Sequence, residues 1–214
     1  MKVCIVGAGA VGGLIGARLA AHTTAEVSAL ARGETLEALN AKGWRLKQGD
    51  RLVTAKACAS SVADELGPQD LVVIAVKAPA LARIATQIGP LLKPDTIVLP
   101  AMNGVPWWFS QGLEGLDEQP LESVDPGGAL SRAIPLSHVM GCVVHLSAAT
   151  AEPGFVQHRS GMGLIIGEPD GSRSERLGRV HALLATAGFD VTSSSAIRHD
   201  IWYKLWGNMT MNPV

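Results

Sequence analysis

The sequence predicts an α/β fold built on a doubly wound parallel sheet, and three observations carry that prediction. Short, largely apolar runs at Val3–Val6, Leu71–Val76 and Thr96–Pro100 suit strands buried on both faces. Helix-like segments alternate with them, as βα units around a parallel sheet require. Between the first strand and the first helix lies Gly7-Ala8-Gly9-Ala10-Val11-Gly12, with G-x-G-x-x-G spacing.

The apolar run Val3–Ala17 behind Lys2 superficially suits a secretory signal. Its glycines (Gly7, Gly9, Gly12, Gly13 and Gly16) argue otherwise, since each penalises a helix by about 1 kcal/mol relative to alanine. The run is also shorter than the ~20 residues that span a bilayer. A nucleotide-binding turn uses these glycines instead. Gly7 permits the tight turn, Gly9 the close approach of a pyrophosphate, and Gly12 the packing of helix on strand. The helix Leu14–His22 then presents backbone N–H groups and a positive dipole end to the phosphates. This strand–turn–helix context reads as a Rossmann-type dinucleotide site formed by Gly7, Ala8, Gly9, Ala10, Val11 and Gly12.

A second strand, Glu26–Ala31, ends at Arg32, where NAD enzymes usually carry an acid for the ribose hydroxyl. A guanidinium there suits the 2′-phosphate of NADP; a solvated surface arginine is the plainer alternative. Glu34–Ala41 reads as a short helix, and Trp44–Lys47 with Arg51–Ala57 as a hairpin turning at Gly49-Asp50. Lys77 follows the strand Leu71–Val76 on the ligand-binding edge of the sheet, as a second cation for that phosphate or a solvated lysine. Ala80–Leu92 is a helix and Thr96–Pro100 the next strand. After Asn103 the pattern loosens into loops rich in glycine and proline. Val139–Leu146, Gly154–His158 and Gly163–Ile166 then suggest antiparallel strands. An amphipathic helix at Arg173–Ala187, a strand near Val191 and a helix from about Ile197 complete the chain. The expected division is residues 1–195 as one NADP-binding domain and 196–214 as the start of a helical one.

The composition agrees. The 214 residues are 47% hydrophobic, enough for a full core, and net charge is −1 from 18 basic and 19 acidic side chains. Without charge runs, neither a nucleic acid nor a membrane surface is indicated as a partner. Cys4, Cys58 and Cys142 are far apart, form no C-x-x-C, and suit buried small side chains in a reducing cytoplasm. The histidines show no metal-ligand spacing, so no metal is expected. No G-x-S-x-G elbow occurs either, which leaves a serine hydrolase without support.

The chemistry concentrates in the last stretch, IRHDIWYKLWGNMTMNPV. Lys204, Asn208 and Asn212 recur every four residues, which aligns them in one polar stripe of a helix. Trp202, Leu205, Trp206 and Met209 form the apolar stripe. An ordinary amphipathic helix explains this pattern; so does a catalytic one. Reduction of a ketone needs a proton for its oxygen, which a lysine supplies. Neutral asparagines hold hydroxyl and carboxylate groups without competing for that proton.

The chain resembles the ketopantoate reductase (2-dehydropantoate 2-reductase) family, within the wider 6-phosphogluconate dehydrogenase-like group. GAGAVGG, VKAP with Lys77, MNGV with Asn103, and WYKLWGNMTMNP carry the likeness, and GCVVHLSA and HRSGMGLIIGEPDG extend it across nearly the whole chain. The resemblance implies NADPH-dependent reduction of 2-dehydropantoate, or a similar 2-oxo acid, in pantothenate and coenzyme A biosynthesis. It makes Lys204 the proton donor and Asn103, Asn208 and Asn212 substrate-binding residues. It places Asn103 where substrate meets nicotinamide, and Ser147 at a backbone contact to the cofactor. Ala80 stands where some members carry a polar residue near the adenosine phosphate. The family continues into an all-helical domain that supplies a serine and a glutamate, so the expectation is a C-terminally truncated chain that binds NADPH but turns over negligibly, with a homodimer left open. The competing reading is a dinucleotide-binding module, or enzyme remnant, without catalysis.

Overall fold

The structure, a computed structural model, describes residues 1–116 and 120–211. The chain begins β1 (Lys2–Val6), α1 (Ala10–His22), β2 (Glu26–Leu30) and α2 (Gly33–Lys42). The hairpin β3 (Trp44–Gln48) and β4 (Arg51–Ala55) follows, then β5 (Cys58–Ser60), α3 (Ala63–Leu66), β6 (Leu71–Ile74), α4 (Leu81–Gln87) and β7 (Ile97–Pro100). After a long connection come α5 (Ala129–Ala133), β8 (Gly141–Glu152), β9 (Phe155–Gly167), α6 (Glu175–Thr186), β10 (Asp190–Ser193) and α7 (Ile197–Met211).

The first sheet is wholly parallel in the order β5-β2-β1-β6-β7. β6 and β7 are buried at every position, as their uninterrupted apolar sequence requires. The chain leaves β1 in one direction to build β2 and β5, and later returns to its other side to build β6 and β7. The C-terminal ends of β1 and β6, registered Val6 to Ile74, therefore flank the switch point where such sheets bind ligands.

A second sheet runs β10-β9-β3-β4, with β8 on the other edge of β9. Helix α1 lies between the sheets. Ile5 and Ala29 of one sheet, Leu14, Ile15 and Leu19 of α1, and Trp44, Val144 and Leu164 of the other share a single apolar cluster. Close approach here depends on Gly16, since a Cβ at that position would come within 2.4 Å of the Trp44 ring.

Three features depart from the sequence reading. The expected strands Gly154–His158 and Gly163–Ile166 are one continuous β9, paired to β8 throughout despite register irregularities around Ser147. On its other edge β9 changes partner, from β3 at Phe155–Gln157 to β10 at Gly163–Ile166, and both pairings are parallel. The loop after Asn103 also contains a helix, α5, hidden by its glycine- and proline-rich surroundings. Asp125 organises it, its carboxylate accepting from the backbone N–H groups of Leu130 and Ser131 and from the Ser131 hydroxyl. Helix α7 is pinned at its start by buried Ile197 and Ile201, while Trp202, Trp206 and Met209 remain exposed. No helix among the described residues is long and apolar enough to cross a membrane.

Candidate active site

The glycine turn sits where the parallel sheet directs it. Gly7 follows β1 with φ +92°, a backbone angle that side chains rarely adopt. Helix α1 begins at Ala10, earlier than its apolar periodicity implies, so Ala10, Val11 and Gly12 form its first turn and their N–H groups lack helical acceptors. Gly12 is buried, and a Cβ there would fall 2.1 Å from the Gly7 carbonyl oxygen and 3.0 Å from Ile5 and Ala75. Gly9 is its opposite. It caps α1, is exposed, and would direct a Cβ into open space.

That space belongs to a cavity of about 250 Å³ lined by Gly7, Ala8, Gly9, Arg32, Ala80 and Arg83, among others. A pyrophosphate fits at the helix N-terminus, and the two guanidiniums make the far end suitable for a further phosphate. The residues present therefore fit a phosphorylated dinucleotide.

A larger cavity, about 420 Å³, adjoins the C-terminal edge of β7 and contains Asn103, Lys204 and Asn208. The periodicity of α7 brings the last two to the same wall, four residues apart. The Lys204 ammonium donates to Asn103 Oδ1 at 2.7 Å and to the Val144 carbonyl of β8. An ammonium has three donors, so one remains for an acceptor in the cavity. Burial holds the Lys204 pKa below the ordinary lysine value. The same exclusion of water pushes the neighbouring Cys142 thiol up to about 12, leaving it neutral. Burial and the Lys204 charge together lower the pKa of His145. A half-buried cation, held by two oxygens in the wall of a largely apolar cavity, is equipped to donate a proton or stabilise a developing oxyanion.

The comparisons with known proteins identify the family. Residues 3–171 match the ketopantoate reductase PanE/ApbA family. The chain belongs to that family. It is 42% identical over 215 residues to a 2-dehydropantoate 2-reductase of Mesorhizobium japonicum, covering 100% of this chain and 66% of the relative. A protein of Ralstonia solanacearum, provisionally named a ketopantoate reductase, is 52% identical with a TM-score of 0.94, over 99% of this chain and 65% of that one. A PanE/ApbA family ketopantoate reductase from Ralstonia eutropha is 30% identical with a TM-score of 0.77, over 97% and 61%. The chain thus spans just under two thirds of the length of these ketopantoate reductase relatives.

For a ketopantoate reductase fold, the sequence-derived positions divide clearly. Asn103, Lys204 and Asn208 meet in the large cavity, and Gly7, Ala8, Gly9 and Arg32 in the small one. Lys77 is exposed beyond β6 and does not line the cavity that holds Arg32. Ser147 is exposed at an irregular point of β8, outside both cavities. Asn212 lies outside the described residues. Among the described residues no group of three or more His, Cys, Asp or Glu could hold a metal ion.

One contribution escaped the sequence reading, while the pair Trp107-Trp108, which follows Asn103 closely in sequence and suits either the substrate mouth or core packing, is found at the large cavity. Arg83, from α4, stands in the Arg32 cavity; it occupies one unremarkable position of a helix, and only the fold turns it toward β2. Trp107 and Trp108, buried to 1% and 0% exposure, wall the large cavity, and the Nε1 of each has no hydrogen-bond partner.

The contrast between the turn glycines makes an expected outcome. Gly9→Val leaves the melting temperature close to wild type but weakens NADPH and NADH alike, by at least the ~1–3 kcal/mol typical of overpacking. Gly12→Val instead lowers the melting temperature, because its side chain meets backbone. Thermal unfolding beside fluorescence titration separates the two; a stable Gly9→Val chain with undiminished binding would remove the pyrophosphate from this turn.

Proposed function

We propose that this protein is an NADPH-dependent reductase that converts 2-dehydropantoate, or a similar 2-oxo acid, to the 2-hydroxy acid. It would act in the cytoplasm, in the route to pantothenate and coenzyme A. The observation that carries the reading is the convergence of Lys204, Asn103 and Asn208 in one cavity at the C-terminal edge of β7, in a sheet that also carries the glycine turn. The M. japonicum and R. eutropha relatives carry the names of the same activity.

The dinucleotide, when bound, supplies the hydride. Gly7 through Gly12 hold its pyrophosphate and Arg32 its 2′-phosphate. Lys204 Nζ gives its proton to the substrate oxygen as charge develops there, and Asn103 keeps the ammonium in place. Asn208, one turn along α7, holds the carboxylate or a hydroxyl, and Asn212 continues that stripe. Lys77 and the backbone at Ser147 are assigned to the outer edge of the cofactor. We assign residues 1–195 to the cofactor-binding domain and the segment from 196 to a helical substrate domain.

The cofactor assignment has a direct test. Arg32→Ala costs NADPH on the order of 1.5–3 kcal/mol of binding, the scale of hydrogen bonds to charged groups, and leaves NADH unchanged. Parallel fluorescence titrations decide it. Equal affinities for the two cofactors in the unaltered chain, or an equal loss for both, overturn the 2′-phosphate assignment.

A further inference from the structure

Helix α7 and the segment that follows Asn103 run past one another, and three contacts join them at successive levels. At the start of α7, Arg198 Nε donates to the Phe109 carbonyl at 2.9 Å and Nη2 to the Gln111 carbonyl at 2.5 Å. Further along the helix the Trp202 and Phe109 rings meet, with centroids 6.3 Å apart. At the last level the Lys204 ammonium donates to Asn103 Oδ1. As α7 advances from Arg198 to Lys204, its partner falls back from Gln111 through Phe109 to Asn103. The two segments are antiparallel and share one register.

These contacts differ in strength. Trp202 is more than half exposed, so little apolar area is at stake in its ring contact. The Asn103 bond is a single one, made by a long side chain with much rotamer freedom to lose. Arg198 is the strong member. Its donors sit in a rigid planar fork, and hydrogen bonds from a charged donor are roughly twice as strong as neutral ones. Nη1 also donates to the Pro169 carbonyl, just past β9, and the guanidinium lies over the ring of buried Trp108, 5.5 Å from its centroid. One side chain therefore joins three segments: α7, the chain after Asn103 and the turn after β9. Lys204 is only about 9 Å further along the axis of the same helix, so a shift of α7 at Arg198 carries Lys204 with it.

We propose that Arg198 is a positioning residue, whose fork sets the register between α7 and the segment after Asn103 and so holds the Lys204 ammonium against Asn103. That the ammonium so held is a proton donor rests on the reductase reading above; the register itself does not.

Exchange of the Lys204 ammonium protons with water, followed by NMR on the 214-residue chain carrying isotope-labelled lysine, tests the register without turnover. Lys204→Ala identifies the signal, and the backbone amides of β1 and β6 report whether each variant is folded. Arg198→Lys keeps the charge but loses the fork. It is expected to speed the exchange by up to about tenfold, the scale of one hydrogen bond. Asn103→Ala should speed it comparably in the unaltered chain, yet add nothing when Arg198→Lys is already present, because both remove the same contact. A role confined to stability would give effects that add, with the exchange following the melting temperature. An unchanged rate in Arg198→Lys or in Asn103→Ala, or effects of the two that add, overturns the proposal. So does loss of the β1 and β6 amides in Arg198→Lys, which would make Arg198 a support of the whole fold. The reductase reading fails on a different observation, near-normal kcat in Lys204→Ala, which leaves the register intact.

Discussion

In the proposed NADPH-dependent reduction, Lys204→Ala is expected to lower kcat by about 10²–10⁴-fold, the usual contribution of a positioned general acid. NADPH affinity should change little, because the residues proposed to take the cofactor phosphates, the glycine turn and Arg32, line the other cavity. The asymmetry follows from where charge appears. Hydride addition builds negative charge on the substrate oxygen, so an ammonium beside it stabilises the transition state more than the ground state. The pH dependence adds a second signature. Lys204 donates only while protonated, so reduction declines as pH rises through its folded-state pKa, which burial sets below the ordinary 10.5. Folding responds in the opposite sense. Between the folded and the unfolded pKa the unfolded chain binds more protons, so this group makes stability rise with pH in the window where activity falls. A pH–rate profile beside a pH–melting profile reads both. Near-normal kcat in Lys204→Ala would leave α7 an ordinary amphipathic helix.

Much of this site was legible because its elements are local. A strand, a glycine turn and a helix fit within Lys2–His22, and the spacing of Gly7, Gly9 and Gly12 marks the turn in the sequence. Lys204 and Asn208 were legible for the same reason, since one helix period places both on one wall. What sequence could not show is what distant segments contribute to each other. Arg83 joins Arg32 only because α4 and β2 converge on the same cavity. The Val144 carbonyl holds Lys204 across sixty positions of sequence.

The fold divides in the same way. Buried parallel strands announce themselves as apolar runs, and β6 and β7 were read within two residues. By contrast β5, α3 and α5 have three, four and five residues, too short for either period to register. Within β9, Arg159-Ser160-Gly161 has the composition of a turn, yet the strand persists because β8 pairs alongside it. Tertiary pairing overrides local preference there.

The second large effect expected concerns the support beneath α7. Glu168 is buried, at 3% exposure, and forms an ion pair with Arg176 at 2.5 Å. The guanidinium is bidentate: Nε donates to Oε1 at 2.8 Å and Nη2 to Oε2 at 2.5 Å. Arg176 also donates to the carbonyls of Ser137 and Val139, and the Ser174 hydroxyl to Glu168, which ties the end of β9 and the start of α6 to the segment before β8. From α7, Arg198 completes the assembly by donating to the carbonyls of Pro169, Phe109 and Gln111. Arg176→Met keeps most of the side-chain volume and removes the charge, stranding Glu168. Breaking a buried pair from one side typically costs about 3–5 kcal/mol, so denaturant unfolding should show a loss of that order. Adding Glu168→Gln should recover part of it, because the stranded charge rather than the missing pair is the larger penalty. If the mechanism is this one, the single variant also loosens the Pro169 carbonyl that helps seat Arg198, and α7 should gain hydrogen-exchange rate near Ile197 before the parallel sheet does. A loss below about 1 kcal/mol, the scale of a surface ion pair, would mean that water reaches Glu168 and that the Glu168–Arg176 pair contributes little to seating α7.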